Sequence, residues 1–273
     1  MNRCNICLEE TCNGLHNCQC EKCSKVNECY RYLHATIRIT NKCTQECEHC
    51  CFECSPRAKK MMTIEKAKEI SLFLQNNLIT SINITGGEFS CNKQWYEIIK
   101  ELTKNIKFAR IVSNGDWVTN TDTKSKLLKL KNALGSKLVI SISNDRWHTN
   151  KYVEQAELFL KQNGFIYNIE QPHEATTDSL VPIGRAEWEY SIYKLMSCYC
   201  NNPTKMYSFI IDESGEIYKC PFGVWDYANV SEYLNGGFDE KFKEFNVKFY
   251  KLPIMSCGEC VRVASRNNRI INK

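Results

Sequence analysis

The chain has 273 residues, 43% of them hydrophobic, enough to bury one sizeable core with small appendages. Its excess of five positive charges is modest and dispersed, which argues against a dedicated nucleic-acid surface; no apolar run reaches transmembrane length, and the polar N-terminus is no signal peptide. Eighteen cysteines cluster at metal-ligand spacings in a long chain of alternating strands and helices, which favours a reducing cytoplasm over a secreted disulfide scaffold.

Along the chain, Cys4, Cys7, Cys12, Cys18, Cys20, Cys23 and Cys29 fall in residues 1–32, a polar segment with too little apolar content to fold unaided. A bound metal would supply the missing stability. Cys4-x2-Cys7 with Cys20-x2-Cys23 spells a zinc ribbon, while Cys18, Cys20, Cys23 and Cys29 equally suit an iron–sulfur cluster. A strand is expected over Ala35–Thr40, running into Cys43-x3-Cys47-x2-Cys50. Three thiolates this close can converge on one metal centre, and a 4Fe-4S cluster held by only three cysteines keeps one iron open to a small molecule. Cys51 and Cys54 are surplus and read as packing beneath such a cluster, with Phe52 shielding it from water.

Helical spacing follows in Ile64, Ala67, Ile70 and Leu74, with Thr63 as the N-cap. A strand over Ser81–Thr85 ends in Thr85-Gly86-Gly87-Glu88, where two glycines permit a tight turn and close approach of backbone to a ligand, and Cys91 lies just beyond. Trp95, Ile98, Ile99, Leu102 and Ile106 mark the next helix. Strands are expected at Phe108–Asn114, Lys137–Ser143 and Phe165–Glu170. The first closes on Val112-Ser113-Asn114-Gly115, the second on Ser143-Asn144-Asp145-Arg146-Trp147-His148, and Pro182-Ile183-Gly184-Arg185-Ala186 comes after the third. This alternation argues for a parallel sheet with the candidate loops along one edge. Farther on, Ile210 to Cys220 reads as a hairpin turning at Gly215; Cys200, Gly215 and Cys220 are spaced C-x14-G-x4-C, and Cys257-x2-Cys260 follows.

In this order the motifs resemble those of the radical S-adenosylmethionine (SAM) enzymes. The resemblance implies an α/β fold, a partial (β/α)6 TIM barrel over residues 33–189 followed by a twitch-like domain over 190–273, while the Cys-rich metal-binding segment 1–32 departs from the family pattern. It implies that Cys43, Cys47 and Cys50 hold a 4Fe-4S cluster whose free iron is chelated by SAM, and that reductive cleavage yields a hydrogen-abstracting 5'-deoxyadenosyl radical. Gly86, Gly87 and Glu88 would meet the SAM amine, Ser113 and Asn114 its methionyl part, Ser143 the ribose, Arg185 the carboxylate and His49 the adenine. His148 would fix its loop. Cys200, Cys220, Cys257 and Cys260 would hold an auxiliary 4Fe-4S cluster, with a zinc knuckle as the alternative, and Cys4, Cys7, Cys20 and Cys23 a third cluster or zinc. The family also implies an anaerobic or microaerobic host and flavodoxin or ferredoxin as reductant.

Radical SAM proteins with twitch or related SPASM domains mostly modify peptides or proteins, and many mature ribosomally made peptide natural products, so a peptide or protein substrate is expected. Epimerisation is favoured over thioether or carbon–carbon crosslinking. An epimerase needs a hydrogen donor, and Cys198 and Cys91 are the thiols left near the expected mouth after ligand assignment. One departure from such maturases is that no segment is long enough for a winged-helix-like leader-binding domain. Two other readings compete. A glycyl-radical-enzyme activase would use the same triplet but usually carries ferredoxin-like inserts within the early barrel. A non-enzymatic iron–sulfur electron-transfer protein has no need of Gly86-Gly87-Glu88 or of Ser143.

Overall fold

The computed structural model describes residues 34–50, 52–145, 147–170, 208–218 and 226–242. Among them β1 (His34–Thr40), β2 (Ser81–Gly86), β3 (Phe108–Ser113), β4 (Leu138–Ser143) and β5 (Ile166–Glu170) alternate with α1 (Ile64–Asn76), α2 (Trp95–Leu102), α3 (Thr121–Leu134) and α4 (Val153–Gln162). Three further strands follow: β6 (Ser208–Ile211), β7 (Glu216–Tyr218) and β8 (Asp226–Asn229). All eight lie in one sheet of order β5-β4-β3-β2-β1-β6-β7-β8. The pairs from β5 to β6 are parallel, and β7 and β8 add antiparallel. The architecture is mixed α/β with a parallel sheet, consistent with a partial TIM barrel.

Alternating side chains explain how the sheet seats its helices. One face carries Ala35, Ile37 and Ile39 from β1, Ile82 and Ile84 from β2, and Ala109 and Ile111 from β3. These pack with Ala67, Ile70, Phe73 and Leu74 of α1 and with Trp95, Ile98, Ile99 and Leu102 of α2. Each of the larger side chains, Ile, Leu or Phe, contributes about 1.5–3 kcal/mol, so a one-residue slip that turned a strand over would be costly. Several of the alternate positions are polar and bonded to one another: Arg110 Nε donates to Asn83 Oδ1 (3.1 Å), its guanidinium pairs with Glu170 (2.9 Å), and Ser141 donates to Asn168 Oδ1 (2.5 Å). Thr63 caps α1 by accepting the Lys66 N–H at 3.2 Å, as expected from sequence. The second helix is shorter than its apolar spacing implies. It stops at Leu102, where Thr103 turns its hydroxyl back to the Ile99 carbonyl (2.7 Å), and Ile106 is buried from the connecting turn.

The C-terminal hairpin is continuous with this sheet. Strand β6, although it falls in residues 190–273, pairs with β1 from His34↔Ser208 to Ile37↔Ile211. Its turn is held by Asp212, whose Oδ1 accepts the N–H groups of Ser214 (2.8 Å) and Glu216 (3.1 Å), and Gly215 supplies the left-handed φ of 91°. Arg38 of β1 reaches across to Glu213 (3.0 Å) and Asp212 (3.6 Å). No helix among the described residues is long and apolar enough to cross a membrane.

Candidate active site

Because the strands are parallel, the loops after β1, β2, β3 and β4 emerge at one edge of the sheet. The loop after β1 carries Cys43, Cys47 and Cys50, all half-buried and outside any disulfide, and Cys54, which is buried. A compact turn shapes it: the Cys50 N–H donates to the Cys47 carbonyl (3.2 Å), the Cys54 N–H to the Cys50 sulfur (3.3 Å), and the Cys43 N–H to the Ser55 carbonyl (3.1 Å). Burial pushes the Cys43 thiol up to about 11, against the opposing backbone N–H groups of Gln45 and Thr44. The Arg38 guanidinium lies 5.4 Å from the centre of the Phe52 ring, so this loop also leans on β1.

The glycines after β2 approach their own chain. A side-chain carbon on Gly87 would lie 2.0 Å from the Lys42 carbonyl oxygen, and one on Gly86 2.2 Å from that of Thr40. Their absence lets the Gly87 N–H reach the Thr40 carbonyl (2.7 Å) and the Glu88 N–H the Lys42 carbonyl (3.0 Å). Glu88 then turns inward, 1% exposed, and its carboxyl accepts the Ser113 hydroxyl (3.0 and 3.1 Å) and the Asn114 N–H (3.0 Å). Burial pushes this carboxyl up to about 8, although both donors favour its charge. Cys91 ends the short helical turn after Glu88, and its thiol is pushed up to about 11 by burial, with Glu88 and Cys43 adding to the effect.

The loop after β3 closes on the cysteine loop through Asn114, which donates to Thr44 Oγ1 (3.0 Å) and approaches the Cys43 sulfur (3.8 Å). Thr44 donates to Asp116 (2.5 Å), and Gln45 binds Asp116 through its amide nitrogen (3.3 and 3.4 Å) while its oxygen accepts the Thr149 N–H (3.2 Å) and faces the Cys47 thiol (3.6 Å). Thr44, Gln45 and Asp116 were not marked by sequence; their only signal is position, two between the cysteines and one just past Gly115. After β4, Ser143 is half-buried at the strand end, and Asp145 Oδ1 accepts the N–H of Trp147 (2.8 Å), the N–H of His148 (3.1 Å) and His148 Nδ1 (2.8 Å). Burial opposes ionisation of Asp145, but the His148 hydrogen bond and charge hold its carboxyl below the ordinary range. His49 sits against this loop, its ring centre 5.0 Å from that of His148 and 5.9 Å from that of Trp147.

The sheet edge therefore brings together Cys43, Cys47, Cys50, His49, Gly86, Gly87, Glu88, Cys91, Ser113, Asn114 and Ser143. Arg185, Cys198, Cys200, Cys220, Cys257, Cys260, Cys4, Cys7, Cys20 and Cys23 lie outside the described residues, as do Cys51 and Arg146.

Residues 37–157 match the family model of the radical SAM superfamily. Over 119 residues the chain is 32% identical to the antilisterial bacteriocin subtilosin biosynthesis protein AlbA of Bacillus subtilis (strain 168), a match covering 44% of this chain and 25% of that protein. It is 31% identical over 118 residues to the putative peptide biosynthesis protein YydG of the same strain, covering 41% of this chain and 36% of the relative. The matched stretch thus spans well under half the length of either. Among solved structures, BtrN in complex with AdoMet and 2-DOIA superposes with a TM-score of 0.51 at 17% identity, over 79% of this chain and 85% of that one, a likeness of fold.

Proposed function

The chain carries a radical SAM domain at residues 37–157, and on that premise we propose that it matures a ribosomally made peptide, by epimerising an α-carbon in preference to crosslinking. The observation that carries the reading is the clamped cysteine loop: three cysteines on one short loop, held by the Gly87 and Glu88 backbone and by the Asn114 side chain. This donor set fits a 4Fe-4S cluster with one open iron, since Cys43, Cys47 and Cys50 are close in sequence and outside any disulfide, and N–H groups that favour thiolate meet the Cys43 and Cys50 sulfurs. A cluster there, with SAM, supplies one-electron cleavage and hydrogen abstraction. The peptide class is supported by the names of the two Bacillus relatives, both given to peptide biosynthesis.

The chain's own residues would then have separate tasks. Gly86, Gly87, Ser113, Asn114, Ser143, His49 and Arg185 would bind SAM. Cys91, whose thiol burial pushes up to about 11 and so keeps protonated at neutral pH, would give a hydrogen atom to the substrate carbon radical and become a thiyl radical, or Cys198 would do so; the thiol is restored by one electron from flavodoxin or ferredoxin and one proton from solvent. Cys200, Cys220, Cys257 and Cys260 would hold an auxiliary 4Fe-4S cluster, and Cys4, Cys7, Cys20 and Cys23 a further metal. The test is anaerobic turnover with SAM, a reductant and a small precursor peptide identified from the gene's neighbourhood. Epimerisation predicts product of unchanged mass in water that gains a single deuterium in heavy water; loss of two hydrogens would identify crosslinking, and an untouched peptide with protein modified elsewhere would overturn the substrate class.

A further inference from the structure

We propose that Asn114 tunes the reduction potential of the cluster on the Cys43 loop, by directing a side-chain N–H at the Cys43 sulfur. The proposal rests on the reading that Cys43, Cys47 and Cys50 hold that cluster. Asn114 is 6% exposed and fixed on every side. Its backbone N–H donates to the Glu88 carboxyl (3.0 Å), and its Oδ1 accepts the Asp116 N–H (3.0 Å). That second bond decides the orientation of the amide, because a flipped side chain would set two donors face to face. The nitrogen is therefore the atom facing the cysteine loop. An amide carries two hydrogens: one serves Thr44 Oγ1 at 3.0 Å, and the other lies toward the Cys43 sulfur at 3.8 Å. The backbone N–H groups of Thr44 and Gln45 reach the same sulfur, so three donors converge on it in a buried place.

These N–H donors favour negative charge on the sulfur, offsetting part of the burial that opposes it. Reduction places extra electron density on the cluster sulfurs, and an N–H dipole aimed at a ligating thiolate stabilises the reduced state more than the oxidised one. Asn114 therefore raises the potential, which makes the cluster easier to reduce with a weak biological donor. This is a positioning and tuning role, separate from any contact with SAM.

The test is a redox titration of the reconstituted full chain followed by electron paramagnetic resonance, without SAM. The relevant cluster is first assigned as the one whose signal changes when SAM is added. Asn114→Leu should shift its midpoint to lower potential, and Asn114→Ala, which removes the donor with less crowding, should shift it in the same direction. Thr44→Val, which removes the neighbouring hydroxyl but keeps the Asn114 amide, should leave it in place. A midpoint unchanged in both Asn114 variants, or an equal shift in Thr44→Val, would overturn the proposal. Absence of any SAM-responsive signal in the wild-type protein would instead remove the reading of the site on which it rests.

Discussion

The Ser113 hydroxyl donates to both carboxyl oxygens of Glu88, at 3.0 and 3.1 Å, and so ties the end of β3 to the end of β2 beneath the cysteine loop. Burial raises the Glu88 pKa from 4.5 to about 8 in the folded chain. A carboxyl raised in this way stabilises the fold fully below its unfolded value, and that contribution is lost as pH rises through the folded one. The metal-free protein should therefore lose stability between pH 4.5 and about 8, by a few kcal/mol at about 1.4 kcal/mol per unit. Glu88→Gln should flatten that slope in urea unfolding measured across the range. Parallel curves for the two proteins would contradict the assignment.

Gly87→Ala should be among the most damaging single-carbon changes in the chain. The added carbon would lie 2.0 Å from the Lys42 carbonyl oxygen and 3.0 Å from the Cys43 nitrogen, both backbone atoms. Retreat would break the Glu88 N–H bond to Lys42. A loss of about 3 kcal/mol or more is expected, together with reduced iron on the cysteine loop after reconstitution. Full iron content and an unchanged melting temperature would show that the loop is not clamped there.

Arg38 couples the C-terminal hairpin to the cysteine loop, with 16% of its side chain exposed against 4% for Glu213. Removing only the cation leaves buried carboxylates uncompensated, so Arg38→Met should cost about 3–5 kcal/mol. Adding Glu213→Gln to that variant should recover part of the loss. A double variant whose loss equals the sum of the two single losses would mean that the pair does not interact.

The two candidate hydrogen donors separate in heavy water. If Cys91 is the donor, Cys91→Ala should still form 5'-deoxyadenosine with peptide present but fail to place deuterium in the product, and Cys198→Ala should behave as wild type. The reverse pattern assigns the role to Cys198. Full deuterium incorporation by both variants would exclude a thiol donor at either position.

Much of this architecture was legible in sequence because runs such as Ser81–Thr85 and Phe108–Asn114 are short, rich in apolar and β-branched residues and bounded by turn signals, and the observed strands begin at the same residues. The Thr63 cap was legible for a similar reason, since it stands directly before a helical stripe. The pairing of β6 with β1 was not, because periodicity identifies a strand and says nothing about a partner some 170 residues away. Ile106 reads as helical from its spacing alone, although it reaches the core from a turn. At the site, cysteines and glycines declared themselves by spacing. Thr44, Gln45 and Asp116 carry no pattern, and their joint role emerges only when the β1 and β3 loops are brought together by the parallel sheet. The two glycines were read as making room for a ligand, and the room they make in the described residues is for the Thr40 and Lys42 carbonyls.

The central claim is that Cys43, Cys47 and Cys50 form the SAM-cleaving centre. The measurement that tests it most directly is the yield of 5'-deoxyadenosine and methionine from SAM by the anaerobically reconstituted, reduced protein, beside the variant with all three cysteines replaced by alanine. The account predicts cleavage by the wild type and none by the variant, with any iron bound by the remaining cysteines still present. Undiminished cleavage by the triple variant would contradict it.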